Sequence, residues 1–122
     1  MKSLQEFHQH NRTKINFVLT DIDDTLTLKG RLPSVVFFAM EQMRRTGIRV
    51  IPITGRPAGW CDHIARMWPV DGVVGENGAF YFWFDEKERK LKKRFLDSED
   101  VRADKRDRLE RIGEEILVEV PG

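Results

Sequence analysis

The sequence predicts an α/β fold: a Rossmann-like parallel sheet followed by a β-hairpin and one long helix. Three short apolar runs alternate with two amphipathic segments over residues 15–74, an order typical of right-handed parallel crossover units. Two further strand-like runs, residues 79–84 and 91–96, indicate an antiparallel hairpin. Beyond position 100 the apolar residues recur at intervals of three and four, which favours an amphipathic helix.

The first five elements form the crossover units. The apolar run at residues 15–20 ends abruptly at an acidic cluster and predicts a buried parallel strand. Pro33 suits the first turn of the next helix, and Gly47 suits its C-terminal cap. The predicted elements are strand 15–20, helix 33–45, strand 48–53, a helix ending near residue 68, and strand 70–74, with breaker residues at 54–57.

The last third of the chain carries the hairpin and the long helix. A polar stretch at residues 85–90 connects the two hairpin strands. Ser98 suits the N-cap of the helix, and Pro121 with Gly122 suits its end. The apolar stripe of this helix consists of Leu109, Ile112, Ile116 and Val120.

Composition limits the class of protein. The 122 residues are 40% hydrophobic and 34% charged, with a net charge of +1, which is typical of one ordinary globular domain. No apolar run approaches the roughly 20 residues that span a bilayer, and the polar N-terminus has no signal-peptide core. The single cysteine, Cys61, excludes an internal disulfide. We therefore expect a cytoplasmic protein.

The acidic cluster lies directly after the first predicted strand, where open α/β sheets bind their ligands. It contains Asp21, Asp23 and Thr25 at alternate positions. A solvated turn is one alternative. A calcium loop is another, but Leu26 stands where such a loop needs glycine and Leu32 where it needs glutamate.

These residues resemble the first motif of the haloacid dehalogenase superfamily, Asp-x-Asp-x-Thr after a buried strand. Thr54, at the end of the next strand, resembles the second motif, although Thr-Gly before Arg-Pro is also ordinary turn chemistry. The segment 76–79, Glu-Asn-Gly-Ala, is similar to the type IIB branch, which includes Cof-like, sucrose-phosphate and trehalose-phosphate phosphatases. The resemblance covers about residues 15–120.

The resemblance implies a Mg²⁺-dependent phosphatase that acts on a small phosphorylated substrate, by branch a sugar phosphate. Asp21 would be the nucleophile that forms an aspartyl-phosphate, and Asp23 the general acid and base. The Asp21 carboxylate and the Asp23 carbonyl would bind Mg²⁺. The expected substrate-binding residues are Thr54, Gly55, Arg56 and Asn77, of which Asn77 equally suits a plain glycine-rich turn.

The family pattern is incomplete in this sequence. The later motifs, a lysine and an acidic pair, are not recognisable, and nothing places Lys29 on the phosphate. We expect a polar arm at residues 1–13, a partial core with its hairpin at 14–97, and the start of an inserted cap domain at 98–122. Three hypotheses follow: a fragment of a sugar-phosphate phosphatase, a short phosphate- or Mg²⁺-binding module with little activity, or an interaction domain that pairs through its aromatic hairpin.

Other candidates favour structural interpretations. His8 and His10 suit a frayed arm rather than a metal clip. Cys61 and His63 suit packing and solvation rather than catalysis. The basic residues of 87–94 are interrupted by carboxylates, so we expect a solvated hairpin and no nucleic-acid or membrane partner. The aromatic run at residues 80–84 predicts core on one face and exposure of the other. A homo-oligomer formed through an exposed sheet edge is the alternative interpretation of this run.

Overall fold

The computed structural model describes residues 14–120. The predicted arm at residues 1–13, including His8 and His10, and the predicted stop at residues 121–122 lie outside this range. The described elements are β1 (Phe17–Asp21), α1 (Ser34–Arg45), β2 (Arg49–Ile53), α2 (Ala58–Met67), β3 (Val73–Gly75), a 3-10 turn (Glu76–Gly78), β4 (Phe80–Asp85), β5 (Lys90–Phe95) and α3 (Glu99–Glu119).

The strands form one five-stranded sheet in the order β1-β2-β3-β4-β5. The first three strands are parallel, and β4 and β5 join them as an antiparallel hairpin. This order follows from the two crossover helices, since parallel neighbours need a connection that returns the chain to the same end of the sheet. The predicted fold class and order of elements are confirmed.

Two of the boundaries that differ from the prediction have a visible structural reason. β3 begins at Val73 rather than at residue 70. The reason is that Asp71 already makes two hydrogen bonds with Val50 of β2: the Asp71 amide donates to the Val50 carbonyl, and the Asp71 carboxylate accepts from the Val50 amide. Pro33 is the N-cap of α1 rather than part of its first turn. Its backbone is extended, with ψ of 144°, which is the conformation of a residue that flanks a helix.

The core lies between one face of the sheet and the helices α1 and α2. Phe82 has no exposed surface, and its ring stacks on Phe80 with centroids 4.4 Å apart. The edge of the Phe95 ring closes this cluster from β5. Within residues 14–120 the buried hydrophobic residues are Ile22, Met40, Val50, Cys61, Ile64, Ala65, Val70, Val73, Phe80 and Phe82.

The opposite face of the sheet is not covered by any described helix. Phe17, Leu19 and Tyr81 are exposed on it, because both crossover helices pack on the other side. The prediction of a buried first strand is therefore wrong for the described chain: β1 is an edge strand with one open face.

The helix α3 forms as predicted but buries none of its residues. Ser98 caps it, accepting a hydrogen bond from the Val101 amide at 3.4 Å, while Leu109 and Ile116 of its apolar stripe stay exposed. Within residues 14–120 none of the helices combines the length and apolarity needed to cross a bilayer.

Candidate functional site

The parallel register of the sheet brings the predicted site residues to one edge. Asp21 is the last residue of β1 and pairs with Ile53, the last residue of β2. Thr54 follows immediately, and its amide donates to the carbonyl of Val74 on β3 at 2.9 Å. An open cleft of about 280 Å³ lies at this edge, lined by Leu19, Thr20, Asp21, Ile53, Thr54, Gly55 and Asn77.

The acidic loop is shaped by one buried residue. Ile22 is 1% exposed and anchors the loop in the core. Its carbonyl accepts hydrogen bonds from the amides of Thr25, Leu26 and Thr27 at 3.3, 3.0 and 2.9 Å. The chain therefore turns tightly around Ile22, and the carboxylates on either side of it, Asp21 and Asp23, are exposed to solvent.

Arg56 reaches across the cleft edge and binds Asp23. Its Nε donates to Asp23 Oδ2 at 3.0 Å and its Nη2 donates to Oδ1 at 2.5 Å. This hydrogen bonding lowers the pKa of Asp23 below its ordinary value, since the charged pair favours the carboxylate. The guanidinium also lies over the Trp60 ring, with Cζ 4.4 Å from the ring centroid.

Thr54 lies at the floor of the cleft. It is 3% exposed, and its hydroxyl oxygen accepts a hydrogen bond from the Arg56 amide at 3.1 Å. The hydroxyl proton is free to point at an acceptor in the cleft. Since α2 begins four residues later, at Ala58, without a side-chain cap, the first-turn amides of that helix are further donors at the same edge.

The segment 76–78 closes the cleft from the β3 side. Its three residues have positive φ angles, of 46° at Glu76, 55° at Asn77 and 106° at Gly78. Backbone bonds from Glu76 to Arg56 and from Asn77 to Thr54 tie it to the loop after β2, at 3.2 and 3.1 Å. Asn77 therefore both shapes the turn and lines the cleft, the two alternatives that the sequence left open.

Gly55 allows the loop after β2 and the segment 76–78 to approach each other closely. A Cβ atom at this position would lie 3.2 Å from Oδ1 of Asn77, which is closer than most side-chain contacts in proteins. Trp60 is the site neighbour that sequence reasoning missed. The signal available for it was an exposed aromatic residue in the first turn of the helix that follows the Thr54 motif.

The donor set at the cleft suits a hard cation only in part. The Asp21 carboxylate and the Asp23 carbonyl are oxygen ligands of the kind that Mg²⁺ prefers. Among residues 14–120 no group of three or more histidine, cysteine, aspartate or glutamate side chains converges as a metal site. The Asp21 carboxylate and the Asp23 carbonyl are therefore the oxygen ligands that the described residues would offer to a magnesium ion.

Comparison with known proteins gives a family match and several similar structures. A family profile described as haloacid dehalogenase-like hydrolase matches residues 18–111. No curated protein matches the chain. A phosphatase of the haloalkanoate (HAD) enzyme superfamily from Bacteroides thetaiotaomicron is 24% identical with a TM-score of 0.55, over 82% of this chain and 36% of that one.

Two further structures are similar. A hypothetical protein from Geobacillus kaustophilus is 26% identical with a TM-score of 0.51, over 80% of this chain and 37% of its own. A HAD subclass IIB sugar phosphatase is 29% identical with a TM-score of 0.47, over 56% of this chain and 28% of its own. The chain thus spans about a third of the length of the structures it matches.

Proposed function

Because this chain belongs to the haloacid dehalogenase-like hydrolases, we propose that its cleft is the phosphate-binding site of a phosphomonoester hydrolase with Asp21 as nucleophile. The observation that carries the proposal is the convergence of Asp21, Asp23 and Thr54 at one edge of the sheet. A carboxylate nucleophile, a second carboxylate two residues away and a buried hydroxyl donor are the groups that transfer of a phosphoryl group through an aspartate requires.

In the first step a carboxylate oxygen of Asp21 forms a bond to phosphorus while the bond to the leaving oxygen breaks. Asp23, protonated, gives its proton to that oxygen, which departs as an alcohol. In the second step water attacks phosphorus, Asp23 takes the proton of the water, and the Asp21 carboxylate is released. Proton transfer by a positioned group of this kind contributes roughly a hundred- to ten-thousand-fold in rate.

The Asp21 carboxylate and the Asp23 carbonyl would hold Mg²⁺, which when bound offsets the negative charge of the phosphate. Thr54 and the first-turn amides of α2 donate to the phosphate oxygens. Arg56 is the cation that pairs with Asp23 at the edge of the cleft, and a phosphate would compete with Asp23 for it. We infer that substrate binding draws Arg56 from Asp23, which frees that carboxyl to carry a proton.

A second candidate function is a phosphate- or Mg²⁺-binding module of the same fold with little turnover. The bidentate pair between Arg56 and Asp23 favours it, because a carboxylate held in its charged form is a poor acid. The family's lysine and acidic pair have no counterpart that we can assign among residues 14–120. We propose that further polypeptide, in the same protein or another subunit, supplies them when the enzyme is active on a small sugar phosphate.

Thermal stabilisation by inorganic phosphate with millimolar Mg²⁺ tests the proposed site. At tenfold excess over Kd, phosphate stabilises the native state by about 1.4 kcal/mol. Thr54→Val keeps the side-chain shape but removes the hydroxyl donor, and a hydrogen bond to a charged group contributes about 1.5–3 kcal/mol, so the shift should nearly vanish.

The matched control is Thr46→Val. The Thr46 hydroxyl bonds the carbonyl of Met43 at the end of α1, at the opposite edge of the sheet, so this variant should respond to phosphate like wild type. An equal phosphate shift in both variants, or no shift in wild type, would contradict the proposed site.

A further inference from the structure

A cleft of about 530 Å³ lies under the first half of α3, at the end of the hairpin where Phe80 pairs with Phe95. We call it the α3 cleft. Phe80, Phe95 and Leu109 form its apolar wall, and it shares no lining residue with the phosphate cleft. Sites for small organic molecules have volumes of about 300–1,000 Å³, so the α3 cleft is large enough to hold one.

Arg102 is the cation at the centre of the argument. Its guanidinium lies over the Phe95 ring, with Cζ 3.9 Å from the ring centroid. Its Nε is buried and makes no hydrogen bond with any of residues 14–120, and none of the ion pairs described in that range includes Arg102. A guanidinium has five N–H donors and keeps its charge at any ordinary pH. Arg102 is therefore a permanent cation for which the described chain supplies an aromatic ring but no acceptor.

The other charged side chains of the α3 cleft leave it with an excess of positive charge. Lys105 Nζ donates to Asp97 Oδ2 at 2.5 Å, so these two charges offset each other. Arg106 follows Arg102 after one helical turn and lies on the same face of α3. Glu76, which lines the cleft from the sheet side, offsets one of the two arginines. One positive charge remains, which matches a ligand with a single negative charge.

We propose that the α3 cleft binds an organic carboxylate, whose charged group lies on Arg102 and Arg106 and whose apolar part lies on Phe80, Phe95 and Leu109. The planar fork of a guanidinium matches the two oxygens of a carboxylate. A phosphate dianion would instead leave a net negative charge beside Glu76 and Asp97. The proposed site is separate from Asp21 and does not depend on the proposed phosphatase activity.

Binding of benzoate to the 122-residue chain, measured without Mg²⁺, tests this inference. The backbone amide signals of Ala79 and Leu109, on opposite sides of the α3 cleft, are followed by ¹H–¹⁵N NMR, and the Val50 amide in β2 reports whether the core stays folded. Benzamide keeps the ring of benzoate without its charge, and acetate keeps the charge without the ring. Phenyl phosphate tests the other anion.

We expect benzoate to shift both amide signals along one saturating curve. Benzamide should bind about tenfold more weakly or worse, and so should benzoate to Arg102→Gln, because hydrogen bonds between charged groups are lost. Acetate should also bind more weakly, since it cannot use the apolar wall.

Arg106→Gln is the second variant, because it leaves the contact between Arg102 and Phe95 in place. Arg106 is exposed, so its loss should weaken benzoate binding only about twofold to fivefold. The matched control is Arg108→Gln, an exposed arginine of α3 that does not line the cleft, and it should bind benzoate like wild type. If Arg102→Gln loses the folded signal of Val50, the comparison of Arg106→Gln with Arg108→Gln decides.

Four results would overturn the inference. They are the absence of saturable shifts with benzoate, equal affinity for benzoate and benzamide, benzoate binding to Arg106→Gln that is as tight as binding to Arg108→Gln, and tighter binding of phenyl phosphate than of benzoate at the Ala79 and Leu109 amides. None of them bears on the phosphate site at Asp21, which is tested separately with Thr54→Val.

Discussion

Replacing Gly75 by alanine tests how the site loop is held against the core. Gly75 is the last residue of β3 and leads into the segment 76–78 that closes the cleft. Its backbone is extended, with φ of −112° and ψ of 167°, so alanine adds no backbone strain. The added Cβ would, however, lie 2.3 Å from two ring carbons of Phe80 and 2.7 Å from Sγ of Cys61.

The cost follows from these distances. Ordinary contacts between carbon atoms are at about 3.5–4.0 Å, so the Phe80 ring or the strand must move by roughly 1 Å in a closely packed core. Overpacking of this kind costs about 1–3 kcal/mol, and alanine recovers only part of that by restricting the unfolded chain. At about 4 °C per kcal/mol for a domain of this size, the net loss should lower the melting temperature by up to about 12 °C.

Thermal and urea unfolding of Gly75→Ala measure this effect. Gly59→Ala is the matched control, because a Cβ at that position of α2 meets no atom within 4 Å, and alanine in a helix should stabilise by roughly 0.5–1 kcal/mol. The double variant Gly75→Ala/Phe80→Leu removes the clashing ring atoms and should cost less than the sum of the single changes. Equal stability of the two glycine variants would refute the packing argument.

Two further predictions concern ionisation and turnover. Burial raises the pKa of the Cys61 thiol above its ordinary value of 9.0, so the thiol ionises at lower pH in the unfolded chain than in the folded one. The free energy of unfolding, measured with urea across pH, should therefore keep the full contribution of this thiol below about pH 9 and decline above it. Cys61→Ala should show a smaller alkaline decline. With millimolar Mg²⁺ the 122-residue chain should hydrolyse little or no p-nitrophenyl phosphate, because one missing charge stabiliser costs roughly a hundred- to a thousand-fold in rate. Robust turnover that Asp21→Asn abolishes would show that unassigned residues or a second subunit supply the missing groups.

Much of the fold could be predicted because local patterns dictated it. Apolar runs that end at acidic or glycine-rich breakers gave the parallel strands, and the Ser98 cap gave the start of α3. The site edge followed from topology, since parallel strands end on the same side. The short β3 could not be predicted, because its start depends on the side chain of Asp71 taking the place of a strand partner.

The open sheet face and the pair between Arg56 and Asp23 could not be predicted either, because both depend on contacts between parts of the chain that are distant in sequence. A continuous apolar run looks the same whether one or both faces of its strand are covered, so Phe17 and Leu19 were expected to be buried. Arg56 and Asp23 are 33 residues apart and meet only because of the register of β1 with β2. Trp60 is a neighbour of the site only because Arg56, which binds Asp23, also lies over its ring.

Trapping with beryllium fluoride, a mimic of the aspartyl-phosphate, tests the central claim most directly. In the presence of Mg²⁺, ¹⁹F NMR of the wild-type chain should show a bound signal, and Asp21→Asn should lose it because the carboxylate that forms the bond is gone. Asp24→Asn is the matched control: it removes one charge from the same loop at a position with φ of 56°, which asparagine tolerates, and it should still be labelled. Equal labelling of the Asp21→Asn and Asp24→Asn variants, or loss of the signal in both, would contradict the assignment of Asp21 as the nucleophile.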